Sequence, residues 1–330
     1  MAQTPINNIH GLQIQAGVLG RRVGHAFEDT ITQKINSFAY PFKPHPCSGS
    51  HVYTGDPAAL LLSYIGHREC IHKIRNATAL STGALATTED GRKFLLFNGS
   101  SISRCKSDLI ITLEDGNGEI LNVGVSIKQC NNESPTNAQL YFTTARGFAS
   151  LLKVNRIAVS KTAITALQQF CGDVGFRPLD HAAGLMNRVV DPRRFFWEEI
   201  DSKGRAEWER IFREKQDKVS KLLFQKAYPG DPLPPEYLLH KTRKAPSWPK
   251  TEVAIYSIDE IVTLSGLYQG FATKPYSVKK GSHRDPAGIT HLAPRFGVIQ
   301  MQRGGQKQHP DQLQFNLAAR YFYKFNNFLA

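Results

Sequence analysis

Residues 107–129 read SDLIITLEDGNGEILNVGVSIKQ, and the fold turns on them. Asp108–Leu113 is rich in Ile, Leu and Thr, and Ile120–Gln129 carries Val123, Val125 and Ile127 in alternation, the period-two pattern of strands. Between them, Asp115-Gly116-Asn117-Gly118 is a strong hairpin turn signal. A turn centred near Asn117 sets Asp108 opposite Ser126 and Lys106 opposite Lys128. Side chains alternate across a strand, so Asp108, Ser126 and Lys128 project from one face. A slip of one residue in register would undo that placement.

Outward from the hairpin, residues 21–36 predict a helix, with Val23, Phe27, Ile31 and Ile35 on one face. Residues 46–56 carry Pro, Gly, Ser and Asp and predict a loop. Phe94–Phe97 is a short strand candidate, and Thr136–Leu152 predicts a helix with an imperfect apolar stripe. Arg193–Lys226 predicts a charged amphipathic helical segment broken near Ser202-Lys203-Gly204. Pro229–Pro235 marks a boundary. Phe296–Gln302 predicts a strand and Gln312–Phe328 a closing helix.

An Asp on one strand facing a Lys on the next suits metal-assisted phosphodiester hydrolysis. The carboxylate holds a hard cation that polarises phosphate and acidifies a bound water. The ammonium orients that water and offsets developing negative charge. Either residue is, taken alone, an ordinary strand-edge group, and a bare Asp-then-x-Lys match is common. The facing geometry, the order helix–strand–hairpin–helix and the basic charge are what single it out. Other catalytic signatures (GxSxG, HExxH, a P-loop) do not occur.

Ser107-Asp108 followed by Val125-Ser126-Ile127-Lys128 resembles the signature of the PD-(D/E)XK nuclease superfamily, within it the type II restriction enzymes. In that signature Pro-Asp precedes (Asp/Glu)-x-Lys. Ser107 replaces the loosely kept proline. Ser126 replaces the second acid, which leaves metal binding one charge short. The resemblance implies catalytic roles for Asp108, Lys128 and Ser126, and metal ligation by Asp108 and by the backbone carbonyl of Ile127. It further implies an acid from the preceding helix, where Glu28 matches by position; on residue pattern alone Glu28 is a solvated helix acid. The implied cofactor is Mg2+, with Mn2+ as a substitute. The implied partners are double-stranded DNA and a second copy of the chain in a homodimer. The resemblance is specific over about residues 20–150.

The formal net charge is +13 over 330 residues, which suits a polyanionic partner. DNA-contact candidates are Gln129 and Asn131 after the lysine, the cluster Lys241, Arg243 and Lys244, the cluster Lys274, Lys279, Lys280, His283 and Arg284, and Arg303 with Lys307 and His309. Asn137 and Gln139 open the helix predicted over 136–152, where capping is the plainer role. Five cysteines, odd in number and without a CxxC pair, fit reduced thiols. Cys47, His51, His67, Cys70 and His72 have zinc-ligand chemistry, but their spacing matches no common finger. No stretch approaches the roughly 20 apolar residues of a membrane helix. The opening residues carry no basic-then-apolar leader, so a cytoplasmic protein is expected.

The expectation is an α/β fold: a mixed central sheet flanked by helices, a restriction-endonuclease-like core, with a largely helical basic lobe inserted. Residues 1–174 would form the nuclease core, 175–290 a basic DNA-recognition lobe, and 291–330 a strand and helix returning to the core. The expected function is site-specific, metal-dependent DNA cleavage of the type II restriction kind. The alternatives are a structure-selective or repair nuclease of the same superfamily and a DNA-binding protein without catalysis, which Ser126 keeps open.

Overall fold

The structure is a computed structural model that describes residues 25–45, 47, 51–82, 86–87, 93–102, 105–180, 191–225, 231–268, 272–273, 291–303 and 312–325. Along the chain, helix α1 (25–37) precedes β1 (Val52–Gly55), α2 (Pro57–Arg68) and β2 (Ile74–Ser81). The short strands β3 (Ala86–Thr87), β4 (Lys93–Phe97) and β5 (Ser100–Ile102) follow, then the hairpin β6 (Leu109–Asp115) and β7 (Ile120–Gln129). Next come β8 (Ala138–Thr143), α3 (Ala145–Val154), α4 (Lys161–Cys171), α5 (Ser202–Glu214) and α6 (Gln216–Phe224). The chain continues through β9 (Tyr237–Lys241), β10 (Thr251–Ser257), α7 (Ile258–Gly266), β11 (Ala272–Thr273), β12 (Leu292–Ala293), β13 (Arg295–Phe296), β14 (Ile299–Arg303), β15 (Leu313–Leu317) and α8 (Arg320–Phe325).

Two compact units divide these elements: Met1–Ala138 with Gln225–Glu260 and Ala319–Ala330, and Gln139–Phe224 with Ile261–Ala318. The first unit is built on a six-stranded sheet in the order β1-β10-β9-β7-β6-β2. The β7–β9 pair is parallel and the others are antiparallel, so the sheet is mixed, as expected. On one face, Val123, Val125, Ile127, Leu239 and Ile255 pack with Phe27, Ile31 and Ile35 of α1 and Leu61, Leu62 and Ile65 of α2. On the other, Phe322 of α8 stacks on His240 and Tyr256. The hairpin register is the expected one: Leu109 pairs with Val125 and Glu114 with Ile120. The Asp115 carboxylate fixes the turn by accepting from the amides of Asn117 and Glu119, both at 2.8 Å.

The second unit holds α3–α6 and a four-stranded sheet in the order β13-β14-β15-β8. Its core stacks Phe148, Trp208, Phe212, Phe296 and Phe315. Four expectations need correction here. The first half of the 136–152 helix is strand β8, in which Ala138 and Leu140 are buried and Gln139 and Phe142 exposed. The helix starts only after Thr144, whose hydroxyl caps the Gly147 amide at 3.0 Å. Ser202-Lys203-Gly204 is no break but the first turn of α5, capped by Asp201 on the Gly204 amide at 2.8 Å; the interruption falls at Lys215. The 296–302 strand is a hairpin bent at Gly297, with φ +54. The closing helix is shorter, because Leu313, Phe315 and Leu317 bury alternate positions of strand β15 before α8 begins.

Candidate active site

The chain reaches the candidate site through a pinned backbone. The Asp108 amide donates to Val125 O at 2.8 Å, and the Thr82 amide donates to Asp108 O at 3.2 Å. Ser107, in the place of the signature proline, is buried and donates its hydroxyl to Leu233 O at 2.7 Å. Ile127 is buried in the core, which fixes the peptide on either side of it.

These constraints bring the Asp108 carboxylate into the β6–β7 face. Its Oδ2 accepts from the Ile127 amide at 2.7 Å, the Lys128 ammonium at 3.0 Å and the Ser126 hydroxyl at 3.1 Å. The same ammonium lies 2.7 Å from Ile127 O. One positive charge therefore bridges the carboxylate and the carbonyl that the resemblance marks as metal ligands. The pair is partly shielded, at 18% exposure for Lys128 and 22% for Asp108, so its attraction exceeds that of a fully solvated pair.

Glu28 on α1 joins this group electrostatically. Burial first, and then the Asp108 carboxylate, push its carboxyl above the ordinary value, while His25 and Lys128 act the other way. His25 Nδ1 is 3.3 Å from Glu28 Oε2. Hydrogen bonds thus join Asp108, Ser126, Ile127 and Lys128, and Glu28 lies within electrostatic reach of Asp108 and Lys128. Two carboxylates and a carbonyl are hard oxygen donors of the kind Mg2+ or Mn2+ takes; burial is the larger cause of the Glu28 shift, and a divalent cation would offset the smaller part that Asp108 adds. Among the described residues no group of three or more His, Cys, Asp or Glu side chains could hold a metal; here the third donor is a backbone oxygen. That finding also leaves the described Cys47, His51, His67, Cys70 and His72 without a zinc centre. His51 instead faces Ile255 O at 3.2 Å and stacks on Tyr256.

Sequence reading missed one neighbour. In the parallel β7–β9 ladder His240 is the register partner of Lys128. Its ring is buried, and burial followed by the Lys128 charge pushes its pKa down to about 3. A neutral imidazole therefore flanks the lysine at physiological pH. No local signal could have placed it there, because parallel pairing joins strands distant in sequence.

The DNA-contact candidates fall in different settings. Gln129 is the register partner of Lys241, and the Lys241 ammonium donates to Asn131 Oδ1 at 2.9 Å. Arg243 pairs with Glu252, and Lys244 with Glu133 at 2.9 Å. Arg303 belongs to the second unit. It is largely buried and lies 3.8 Å from Asp191, and burial first, then Arg194, push its pKa down to about 10. It lies in an ion cluster with Asp191, Arg193 and Arg194. Asn137 and Gln139 flank the start of a strand, so neither opens a helix. Lys274, Lys279, Lys280, His283, Arg284, Lys307 and His309 lie outside the described residues.

No protein-family model and no curated protein matches the chain. Among solved structures it is similar to restriction endonuclease MspI, in a crystal structure with that enzyme's cognate DNA. The identity is 14% over 92% of each chain, with a TM-score of 0.46. No helix among the described residues is long and apolar enough to cross a membrane.

Proposed function

We propose that the chain is a metal-dependent DNA endonuclease of the type II restriction kind, acting as a homodimer on double-stranded DNA. The observation that carries the reading is the convergence of the Ser126, Ile127 and Lys128 donors on Asp108 Oδ2, with Lys128 also at Ile127 O. When bound, Mg2+ would supply Lewis acidity to a phosphate oxygen and acidify the attacking water.

The chain's own groups do the rest. Asp108, Ile127 O and Glu28 offer the oxygen ligands. The Ile127 amide and the Ser126 hydroxyl hold the Asp108 carboxylate in one rotamer. Lys128 places a positive charge beside the ligand oxygens, where it orients the incoming water and counters charge building on the phosphate in the transition state. His240, being neutral, adds no competing positive charge behind it.

The test is cleavage of unmethylated phage DNA by purified protein, with magnesium and with chelator, alongside gel shifts on the same preparations. Wild type should cut only with metal. Asp108→Ala and Lys128→Ala should each lose at least about a hundredfold in cleavage rate while retaining DNA binding. Near-wild-type cutting by either variant, or undiminished cutting in chelator, sinks the reading. Discrete bands would support site specificity; cutting confined to junctions or lesions would point to the repair alternative.

A further inference from the structure

Two loops leave the sheet side by side where β7 and β9 end. Residues 130–137 follow the candidate catalytic strand, and residues 242–250 continue the basic stretch that starts at Lys241, the last residue of β9. They are sewn together. The Cys130 amide donates to Lys241 O and the Lys244 amide to Asn132 O, both at 2.8 Å. The Lys241 ammonium donates to Asn131 Oδ1, and the Lys244 ammonium to Glu133 Oε1, both at 2.9 Å. The pair is also fastened to α1. Trp248 packs on Phe27 with ring centroids 5.6 Å apart, and the Lys241 ammonium sits 5.6 Å from the Phe27 ring centre. Phe27 is the neighbour of Glu28.

The cations on this ledge are not equivalent. Arg243 is bound to Glu252, whose carboxylate also accepts from Thr242 Oγ1 and, at 2.6 Å, from Tyr323 OH. It is held by a shared, partly buried acid. Lys244 is 63% exposed and its partner Glu133 is 81% exposed. An ion pair so open to water is held weakly. A phosphate, with more charge-bearing oxygens than a carboxylate, replaces the acid at little cost.

We propose that Lys244 and Glu133 form a latch on a DNA-contact ledge: duplex DNA opens the pair, Lys244 transfers to a backbone phosphate, and Glu133 is a built-in competitor for that lysine. The inference rests on the nuclease reading for the identity of the polyanion. Position supports it. The ledge begins at Cys130, two residues past Lys128 at the end of β7, so it lies beside the strand that carries the candidate site.

The experiment is fluorescence anisotropy of the full chain with a short labelled DNA duplex, in chelator, over a salt series. The proteins are wild type, Lys244→Ala, Glu133→Gln and the double variant, each checked for an unchanged circular dichroism spectrum. Lys244→Ala should lower the slope of log affinity against log salt by about 0.9, one phosphate's share. Glu133→Gln should tighten binding by up to about fivefold, the factor an exposed pair is worth. In the double variant the tightening should vanish, since its target is gone. An unchanged slope in Lys244→Ala, no tightening in Glu133→Gln, or equal tightening with and without Lys244 would each overturn the latch; the last would mark a net-charge effect only. Because nothing is cut in chelator, these outcomes stay separate from the nuclease reading, which stands or falls on cleavage by Asp108 and Lys128 variants with magnesium.

Discussion

At Glu28 the role proposed for it as a metal ligand and the needs of the fold conflict. A carboxyl raised above its ordinary 4.5 by burial and by Asp108 prefers its neutral form when folded. Between the unfolded value and the raised one, the folded state holds more protons than the unfolded state, so stability falls as pH rises through that window. Above the raised value the group is ionised and its ionisation opposes folding. Glu28→Gln should therefore raise the melting temperature of metal-free protein at pH above the raised value, with the gain fading as pH falls through that value and gone below 4.5. Thermal melts of both proteins in chelator across pH check this; a lower melting temperature above the raised value would mean Glu28 is held by contacts that outweigh its repulsion. The same variant should weaken magnesium-dependent cleavage, as expected of a stabilising change at a functional site. Ser126 makes the opposite case. Its hydroxyl is one of three donors to Asp108 Oδ2, and Ile127 N and Lys128 remain without it. Ser126→Ala should cost about tenfold in cleavage, or roughly 1.4 kcal/mol, and a loss as deep as that of Asp108→Ala would make Ser126 itself a ligand.

At the scale of elements, two glycines mark where backbones meet. A Cβ on Gly204 of α5 would lie 2.5 Å from Ala166 Cβ and 2.7 Å from Thr162 O of α4. Glycine to alanine ordinarily helps a helix by about 1 kcal/mol, but here overpacking should reverse the sign and cost about 1–3 kcal/mol. Gly124 of β7 is tighter, with a Cβ at 2.2 Å from Ser107 Oγ and 2.8 Å from Pro234 O. Gly124→Ala should destabilise the first unit by a similar amount and loosen the Asp108 strand. Urea unfolding of both variants measures the effect, and a stabilised Gly204→Ala would mean that α4 and α5 do not approach so closely. Legibility in the sequence follows the same contacts. The β6–β7 register was readable because Asp115-Gly116-Asn117-Gly118 is a local signal, and with it came Asp108, Ser126 and Lys128. Leu313, Phe315 and Leu317 alternate as a strand does, yet Leu313, Leu317, Tyr321 and Phe325 also recur every four residues, so a helix fits the same stretch. Gly204 was read as a break because its reason for being small is a neighbouring helix. His240 and the Glu133–Lys244 pair depend on β7 lying parallel to β9, a pairing no local pattern announces.

At the scale of the molecule, the excess of 41 Lys and Arg over 28 Asp and Glu is too large to be local to one site. Several of these charges are used internally: Arg303 and Arg193 by Asp191, Arg243 by Glu252. Those remaining on the surface act at a distance on any polyanion, through counterion release. Binding of duplex DNA should then be steeply salt-dependent whether or not the chain can cut. Six to ten phosphate contacts would cost about 10³–10⁵ in affinity between about 50 and 200 mM salt. Asp108→Ala should keep that slope, since the nuclease reading gives the residue to metal and chemistry, and on that reading it should bind no more weakly than wild type in chelator because a negative charge is removed from the site. Lys279 and Lys280, in the basic stretch 274–284, should carry part of the slope, so replacing both with alanine should reduce it by up to about 1.8, two phosphates' share. Titrations of wild type, Asp108→Ala and the double lysine variant with the same duplex decide this together. A slope near zero in wild type would assign the positive charge to something other than nucleic acid, and an unchanged slope in the double variant would remove Lys279 and Lys280 from the proposed DNA contacts.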